Sequence, residues 1–296
     1  MKPAPAAVNT TDLKRRRRHP EWIKVRVLAG EEYFATQAIV REHQLHTVCE
    51  EARCPNIGEC WGHRTAAFMV MGDRCTRNCA FCAVAHGLGD QPDPEEPRRV
   101  AHAVKALGLR HVVVTSVSRD DLPDGGARHF AATARAIKTE APECRVEVLV
   151  PDFRGSEAAI DTVAEASIEI FNHNVETVAR LHGHVRGSAR YERSLAVLGR
   201  ARQQRSGLLT KSGLMLGLGE ERGEVEKAFA DLRAVGCDIL TVGQYLQPSH
   251  DQLPVVRYVV PEEFADLRDL ALRLGFSHVE AGPLVRSSYH AWSQVP

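Results

Sequence analysis

The chain has 296 residues, and its 38 basic side chains are balanced by 38 acidic ones, so the formal net charge is zero. A neutral surface gives no electrostatic reason to expect binding to nucleic acid or to a membrane. No apolar run approaches the length of about 18 residues that indicates a membrane-spanning helix. Residues 1–11 lack the apolar segment of a secretory signal, and the chain contains eight cysteines. This combination predicts a cytoplasmic, reducing environment.

The two ends of the chain differ in composition from its middle. Residues 1–18 are rich in proline and alanine and end in the basic run 14–18, which predicts a disordered, solvated tail. We interpret residues 19–64 as an N-terminal extension that wraps the central domain, and residues 283–296 as a C-terminal tail. The central domain then occupies residues 65–282.

Short apolar segments alternate with amphipathic ones through the central domain, which predicts parallel strands covered by helices on both faces. The periodic apolar positions between 225 and 235 and between 262 and 274 predict helices. Six such strand–helix units predict a partial (β/α)6 TIM-type barrel with its active site at the carboxyl ends of the strands. The predicted strands are 66–71, 111–115, 145–150, 167–171, 208–216 and 238–242, and residues 277–281 are a candidate for a short final strand.

Six of the eight cysteines form two triplets. Cys75, Cys79 and Cys82 follow the first predicted strand with the spacing C-x3-C-x2-C, and Cys49, Cys54 and Cys60 precede it with the spacing C-x4-C-x5-C. Three thiolates hold three corners of an iron–sulfur cube and leave one iron without a cysteine, which is an open position for chemistry.

Two other interpretations of these cysteines remain open on the residues alone. A disulfide framework is typical of small secreted domains, and a structural zinc site would make the chain a non-catalytic module that binds a partner. Zinc ligands usually come as two separated pairs rather than two triplets of unequal spacing. Cys144 and Cys237 have no partner at ligand spacing, so we interpret both as buried structural residues.

The first triplet, with Phe81 before its last cysteine, resembles the signature of the radical S-adenosylmethionine superfamily. Together with the second triplet and the tail sequence Arg286-Ser287-Ser288-Tyr289, the chain resembles the lipoyl synthase family from about residue 19 to residue 291. The resemblance implies two [4Fe–4S] clusters. Cys75, Cys79 and Cys82 would hold the cluster that binds and cleaves S-adenosylmethionine.

The same resemblance implies that Ser288 completes an auxiliary cluster held by the cysteines at 49, 54 and 60. That cluster would be consumed as the source of two sulfur atoms, inserted at C6 and C8 of a protein-bound octanoyl chain. The implied partners are an octanoylated lipoyl carrier domain or a glycine cleavage H-type protein, a reducing electron donor, and an iron–sulfur carrier that rebuilds the spent cluster. A radical enzyme with an electron-transferring auxiliary cluster is the remaining alternative.

Polar residues and glycines at the predicted strand ends are candidates for binding S-adenosylmethionine. Polar groups there can reach its amino group, and glycines let the backbone approach a ligand, although Asp/Gly-rich turns have the same composition. The segment from Gly213 to Glu220 resembles the adenine-contacting strand of the superfamily. His173 we interpret as a histidine with a local hydrogen bond. The candidate cofactor-binding residues are Thr115, Ser116, Gly125, Gly126, Asn172, Gly217 and Glu220.

Overall fold

The structure is a computed structural model that describes residues 19–24, 30–63 and 65–291. One sheet contains all the strands of these residues, in the order β1 to β8. The strands are β1 (His46–Thr47), β2 (Ala67–Val70), β3 (His111–Ser116), β4 (Arg145–Leu149), β5 (Ile170–Asn172), β6 (Leu209–Leu216), β7 (Ile239–Gln244) and β8 (His278–Gly282).

Helices connect successive strands and cover the outside of the sheet. They are α1 (Glu31–Glu42), α2 (Val48–Glu51), α3 (Ile57–Gly62), α4 (Glu96–Leu107), α5 (Ala127–Glu140), α6 (Glu157–Ala164), α7 (Ala179–Arg186), α8 (Tyr191–Gln204), α9 (Arg222–Ala234) and α10 (Pro261–Arg273). In the part of the chain that the structure describes, no helix has the length and apolar character needed to cross a membrane.

Strands β2 to β8 are parallel and their sheet does not close, so the predicted partial TIM-type barrel is confirmed. The candidate final strand is present as β8. The fourth predicted strand is shorter than predicted, because it begins at Ile170 rather than at residue 167. Just before it, the Glu169 carboxylate accepts a hydrogen bond from the Val146 amide at 2.7 Å, in place of a main-chain acceptor.

The N-terminal extension packs into the same core as the barrel. Its strand β1, which the sequence analysis missed because it has only two residues, pairs antiparallel with β2. Trp61 of α3 is fully buried in one apolar cluster with Val40 and Phe68, and the Thr36 hydroxyl donates to the Trp61 carbonyl at 3.0 Å. The predicted disorder of residues 1–18 lies outside the described residues.

After β8 the chain turns back towards this extension. The Asn56 side chain donates to the Leu284 carbonyl at 2.7 Å, and the Tyr289 hydroxyl donates to the Glu59 carboxylate at 3.1 Å. Ala291 is buried in the same apolar cluster as Trp61. The described part of the C-terminal tail, residues 283–291, is thus packed against the N-terminal extension.

A cluster of polar side chains lies inside the barrel. It is below the mouth, which is the end of the barrel formed by the carboxyl ends of the strands. Lys211 of β6 binds Glu147 of β4 through contacts of 2.9 and 3.1 Å, and both side chains are fully buried. Asn172 donates to the same carboxylate at 2.7 Å, and His111 lies 3.3 Å from it. Burial opposes ionisation of Glu147, but Lys211 and His111 outweigh that effect and lower its pKa to about 2.

Candidate functional site

Cys75, Cys79 and Cys82, the barrel triplet, lie on the loop that follows β2 at the carboxyl edge of the sheet. This is the edge at which barrel enzymes carry their active sites. The backbone amides of Arg77 and Ser118 point to the Cys75 sulfur at 3.4 and 3.3 Å, as donors to a thiolate would. The sequence prediction that this loop lies at the mouth is therefore confirmed.

The thiols of the barrel triplet are close enough to influence one another electrostatically. Burial, with smaller contributions from the neighbouring sulfurs of Cys79 and Cys75, raises the pKa of Cys82 to about 11. Burial also raises the pKa of Cys79, against the lowering effect of Arg186 and Arg77. The barrel triplet therefore consists of three partly buried thiols, with Arg77 and Arg186 close to Cys79.

Arg77 ties the barrel triplet to the ends of two neighbouring strands. Its guanidinium donates to both oxygens of Asp120 at 2.7 and 2.8 Å and to Asp152 at 2.6 Å. Asp120 follows β3, and the fully buried Asp152 follows β4 and also binds Arg193 at 3.2 Å. Bidentate arginine–carboxylate pairs are directional, so this network fixes the loop between its first two cysteines. The sequence analysis missed Arg77, whose only signal was its place inside the motif.

Cys49, Cys54 and Cys60, the auxiliary triplet, lie in and between the short helices α2 and α3. Burial, with a smaller contribution from Cys54, raises the pKa of Cys49 to about 12. Burial likewise raises the pKa of Cys60, with further contributions from the two other thiols. Each of these shifts includes a contribution from another thiol of the triplet, so the three cysteines lie near one another, and their role as cluster ligands stays a prediction.

The C-terminal tail reaches this second position. Arg286 is partly buried beside Cys54, so that desolvation lowers the pKa of its guanidinium and the Cys54 sulfur partly restores it. Ser287 accepts a hydrogen bond from the Asn174 side chain at 2.6 Å. Ser288 lies between Ser287 and Tyr289, the residue that contacts Glu59 of α3. Arg286 and Tyr289 therefore bring the tail beside the auxiliary triplet, although roughly 230 residues separate the two in sequence.

Buried N–H groups near the cysteines show whether an anionic group fits there. Arg77 Nη1 and Arg186 Nε near the barrel triplet have no hydrogen-bond partner in the described part of the chain. The Trp61 side chain lowers the pKa of the neighbouring Cys49. Thiolate-bound iron–sulfur clusters are negatively charged acceptors for such donors. The donor set therefore fits an iron–sulfur group at each triplet.

A single metal ion would need its ligands grouped around one point. Within residues 19–24, 30–63 and 65–291, no set of three or more His, Cys, Asp or Glu side chains is arranged to hold one ion. A cubane cluster distributes its cysteines over separate irons. Cys144 and Cys237 are buried and not part of either triplet, as predicted.

The candidates Thr115, Ser116, Gly125 and Gly126 follow β3 or lie at its end. The Thr115 hydroxyl donates to the Leu149 carbonyl at 2.9 Å, and the Ser116 hydroxyl donates to the Val117 carbonyl at 2.8 Å. A Cβ at Gly126 would overlap the Met71 side chain, so close packing accounts for this glycine. Gly125 lines a cavity of about 340 Å³ together with the ring of Phe153.

The remaining three candidates make internal contacts. Asn172 is fully buried in the polar cluster below the mouth. The Glu220 carboxylate accepts from the backbone amides of Gly217 at 2.6 Å and Leu218 at 2.9 Å, so it holds its own loop. Gly217 has φ of +102°, a conformation that favours glycine. Whether any of the seven candidates binds S-adenosylmethionine stays a prediction.

Two side chains just after β5, those of Asn174 and Glu176, connect this strand end to the barrel triplet. Glu176 acts electrostatically on both Cys79 and Cys82, and it accepts a hydrogen bond from Asn174 at 3.1 Å. Burial raises the pKa of Glu176. The sequence placed both residues at a strand end, but it contained no signal that separated them from Asn172. His173, in contrast, is buried and contacts the Val150 carbonyl and Ser194, both more than 20 residues away, so its hydrogen bonds are not the local ones that were predicted.

Comparisons with known proteins agree with this site. A family model described as the radical SAM superfamily matches residues 69–232, and one described as the N-terminal domain of lipoyl synthase matches residues 6–54. A lipoyl synthase from Rubrobacter xylanophilus is 58% identical over 93% of this chain and 86% of its own length. One from Nitrosococcus oceani is 56% identical over 95% and 87%.

Solved structures share the fold at low sequence identity. The maturase HydG from Carboxydothermus hydrogenoformans has a TM-score of 0.56 and 15% identity, over 85% of this chain and 72% of that one. Methylornithine synthase has a TM-score of 0.51 and 15% identity, over 86% and 79%. The resemblance inferred from the two cysteine motifs is thereby confirmed. The chain belongs to the lipoyl synthase family of the radical S-adenosylmethionine superfamily, whose members use a [4Fe–4S] cluster and S-adenosylmethionine.

Proposed function

We propose that this protein forms the lipoyl group by inserting sulfur at C6 and C8 of a protein-bound octanoyl chain, with a separate [4Fe–4S] cluster at each cysteine triplet. The observation that carries this proposal is the packing of the C-terminal tail beside the auxiliary triplet, where Arg286 lies near Cys54 and Tyr289 binds Glu59, the neighbour of Cys60. A single radical cluster would need only the barrel triplet. The packing of the tail against the N-terminal extension supports a second cluster site, to which segments near both ends of the chain contribute.

In this proposal Cys75, Cys79 and Cys82 hold the cluster that binds S-adenosylmethionine. When bound, this cluster supplies the electron that cleaves the sulfonium and starts hydrogen abstraction from an unactivated carbon. The protein holds the cluster-bearing loop rigidly through Arg77. Arg77 and Arg186 favour the thiolate form of Cys79, which is the form that binds iron. Polar side chains after β3 and β5 are proposed to orient S-adenosylmethionine, with Glu176 and Asn174 added to the candidates.

The auxiliary triplet, with Ser288 as its fourth ligand, is proposed to hold the cluster that donates sulfur. A serine oxygen is a harder ligand than a thiolate and suits iron less well, which fits a cluster that must be opened.

The proposed partners are an octanoylated lipoyl carrier domain or glycine cleavage H-type protein, a reducing electron donor and an iron–sulfur carrier. All eight cysteines are free thiols, which supports a cytoplasmic location.

Anaerobic reconstitution followed by turnover on an octanoylated peptide tests the proposal. We expect about eight irons and eight sulfides per chain, as two cubane clusters require, and a product whose mass has increased by two sulfur atoms. An unchanged peptide mass, obtained while S-adenosylmethionine is cleaved, would favour the electron-transferring alternative. A colourless protein that contains zinc would contradict both.

A further inference from the structure

The C-terminal tail lies directly on two glycines of the barrel wall. A Cβ at Gly243 of β7 would overlap the carbonyl oxygen of Val285, and one at Gly213 of β6 would lie 2.9 Å from the Ser287 hydroxyl. Real Cβ atoms do not approach other atoms this closely. Neither glycine has a positive φ, so their backbones would accept alanine. The absence of a side chain at Gly243 therefore provides space for the tail, and at Gly213 it provides space for the hydrogen-bonded pair of Asn174 and Ser287, with Asn174 Oδ1 at 2.7 Å as the nearest atom.

Hydrogen bonds hold the tail in this space from two sides. On the barrel side, Asn174 donates to the Ser287 hydroxyl at 2.6 Å, and the Thr241 hydroxyl flanks the same spot beside Gly213. On the side of the extension, Asn56 donates to the Leu284 carbonyl at 2.7 Å. Tyr289 closes a turn by donating its amide to the Arg286 carbonyl at 2.9 Å. Ser288 lies inside this turn, so its position follows from these anchors.

We infer that Gly213 and Gly243 form a seat for the tail and that Ser287 is a positioning residue that locks the tail into it. The seat determines where Ser288 lies relative to the auxiliary triplet. The barrel wall, and not the N-terminal extension alone, thereby sets the geometry of the fourth ligand. This inference rests on the proposed function in one respect, the role of Ser288 as a ligand.

The test compares Gly243→Ala with Gly223→Ala in the reconstituted full chain. Gly223 of α9 is a matched control, because a Cβ there meets no atom within 4 Å. Hydrogen–deuterium exchange of the tail amides should be about tenfold faster in Gly243→Ala than in the control, since local opening is what exchange measures. About half of the iron, the auxiliary share, should pass to a ferrous-iron chelator faster than in the control. Equal tail exchange in the two variants would overturn the inference.

Ser287→Ala provides a second measurement that adds no atom and therefore does not disturb the strands. It should accelerate tail exchange about threefold, in line with the loss of one hydrogen bond. Unchanged exchange in this variant would refute the role of Ser287. Faster tail exchange in Gly243→Ala with no change in iron release would refute the link between the seat and the cluster.

Ser288→Ala separates the inference from the proposed function. If it leaves the auxiliary-cluster spectrum unchanged, the ligand assignment fails, whatever the glycine variants show. If it changes that spectrum while tail exchange in Gly243→Ala equals that of Gly223→Ala, the ligand assignment stands and the seat is refuted.

Discussion

The barrel triplet lies on one loop that a single arginine ties to two strand ends, whereas the auxiliary triplet draws on two short helices and on a tail from the other end of the chain. The first arrangement is local in sequence and supported by a rigid sheet. The second, in the proposed function, becomes complete only when the tail has packed against the extension. We propose that a ligand set assembled in this way can be opened at one place without dismantling the rest, as a cluster that gives up sulfur requires.

Removal of either triplet should produce the largest effects and should separate the two sites. Replacing Cys75, Cys79 and Cys82 with alanine should leave about four irons and abolish formation of 5′-deoxyadenosine, because the open iron is lost. Replacing the three auxiliary cysteines should also leave about four irons, but cleavage of S-adenosylmethionine should persist without sulfur insertion. Iron analysis and product assays distinguish the two variants. Sulfur insertion by the second variant would contradict a sacrificial auxiliary cluster.

The ion pair inside the barrel should matter for both sites together. Lys211→Met leaves the Glu147 carboxylate buried without its cation, and breaking such a pair typically destabilises a protein by about 3–5 kcal/mol. The double variant Lys211→Met/Glu147→Gln should recover part of this loss, because no charge remains buried. Urea unfolding measures the free energies. A single variant as stable as the parent would show that the pair does not support the barrel.

Arg77 should affect the barrel triplet and leave the auxiliary triplet intact. Arg77→Met removes charge-assisted hydrogen bonds to Asp120 and Asp152, which should cost about 2–3 kcal/mol and lower iron occupancy of the barrel site. Arg128→Met is the control, since Arg128 is an exposed arginine that also binds an aspartate. Iron content and the spectrum of each cluster are the readouts. An equal loss at both clusters would contradict the local role of Arg77.

The sequence predicted those features that depend on local patterns. The parallel strands follow from apolar runs, and the barrel triplet follows from one spacing after one strand. The contacts of Arg77 with Asp152 and of Ser287 with Asn174 join residues far apart in the chain, so no local pattern encodes them. Asn172 and Asn174 are two asparagines at the end of the same predicted strand, so the sequence does not distinguish their roles. Only the short strand β5, which ends at Asn172, decides that one faces Glu147 and the other faces the tail.

The smallest predicted effect is a pH dependence confined to the barrel side. Burial and Arg186 lower the pKa of His173 to about 3, although Asp152 opposes this shift. The unfolded chain therefore binds the proton more readily than the folded one below pH 6.5 or so. Stability is fully present above that value and falls as the pH decreases towards 3. Between pH 7.5 and 5.5 this histidine should contribute a loss of about 1.4 kcal/mol.

His173→Gln should remove this contribution to the pH dependence of unfolding. His182, whose pKa burial and Arg186 lower to about 4, provides a matched comparison. His182→Gln should flatten the profile by a similar amount, since the unfolded state of either histidine titrates in this range. A His173→Gln profile identical to that of the parent would mean that the buried imidazole is not neutral in the folded protein.

Mössbauer spectroscopy of the auxiliary cluster tests the central claim, that the tail completes the second site. The protein would carry Cys75, Cys79 and Cys82 as alanine, so that all bound ⁵⁷Fe reports on the auxiliary triplet. Ser288→Ala should change the signal of about one iron in four, because a cubane has four irons and one would lose its oxygen ligand. Ser277→Ala, which removes a hydroxyl bonded to the Asp238 carbonyl, should leave all four unchanged. Identical spectra for Ser288→Ala and Ser277→Ala would contradict ligation of the auxiliary cluster by the tail.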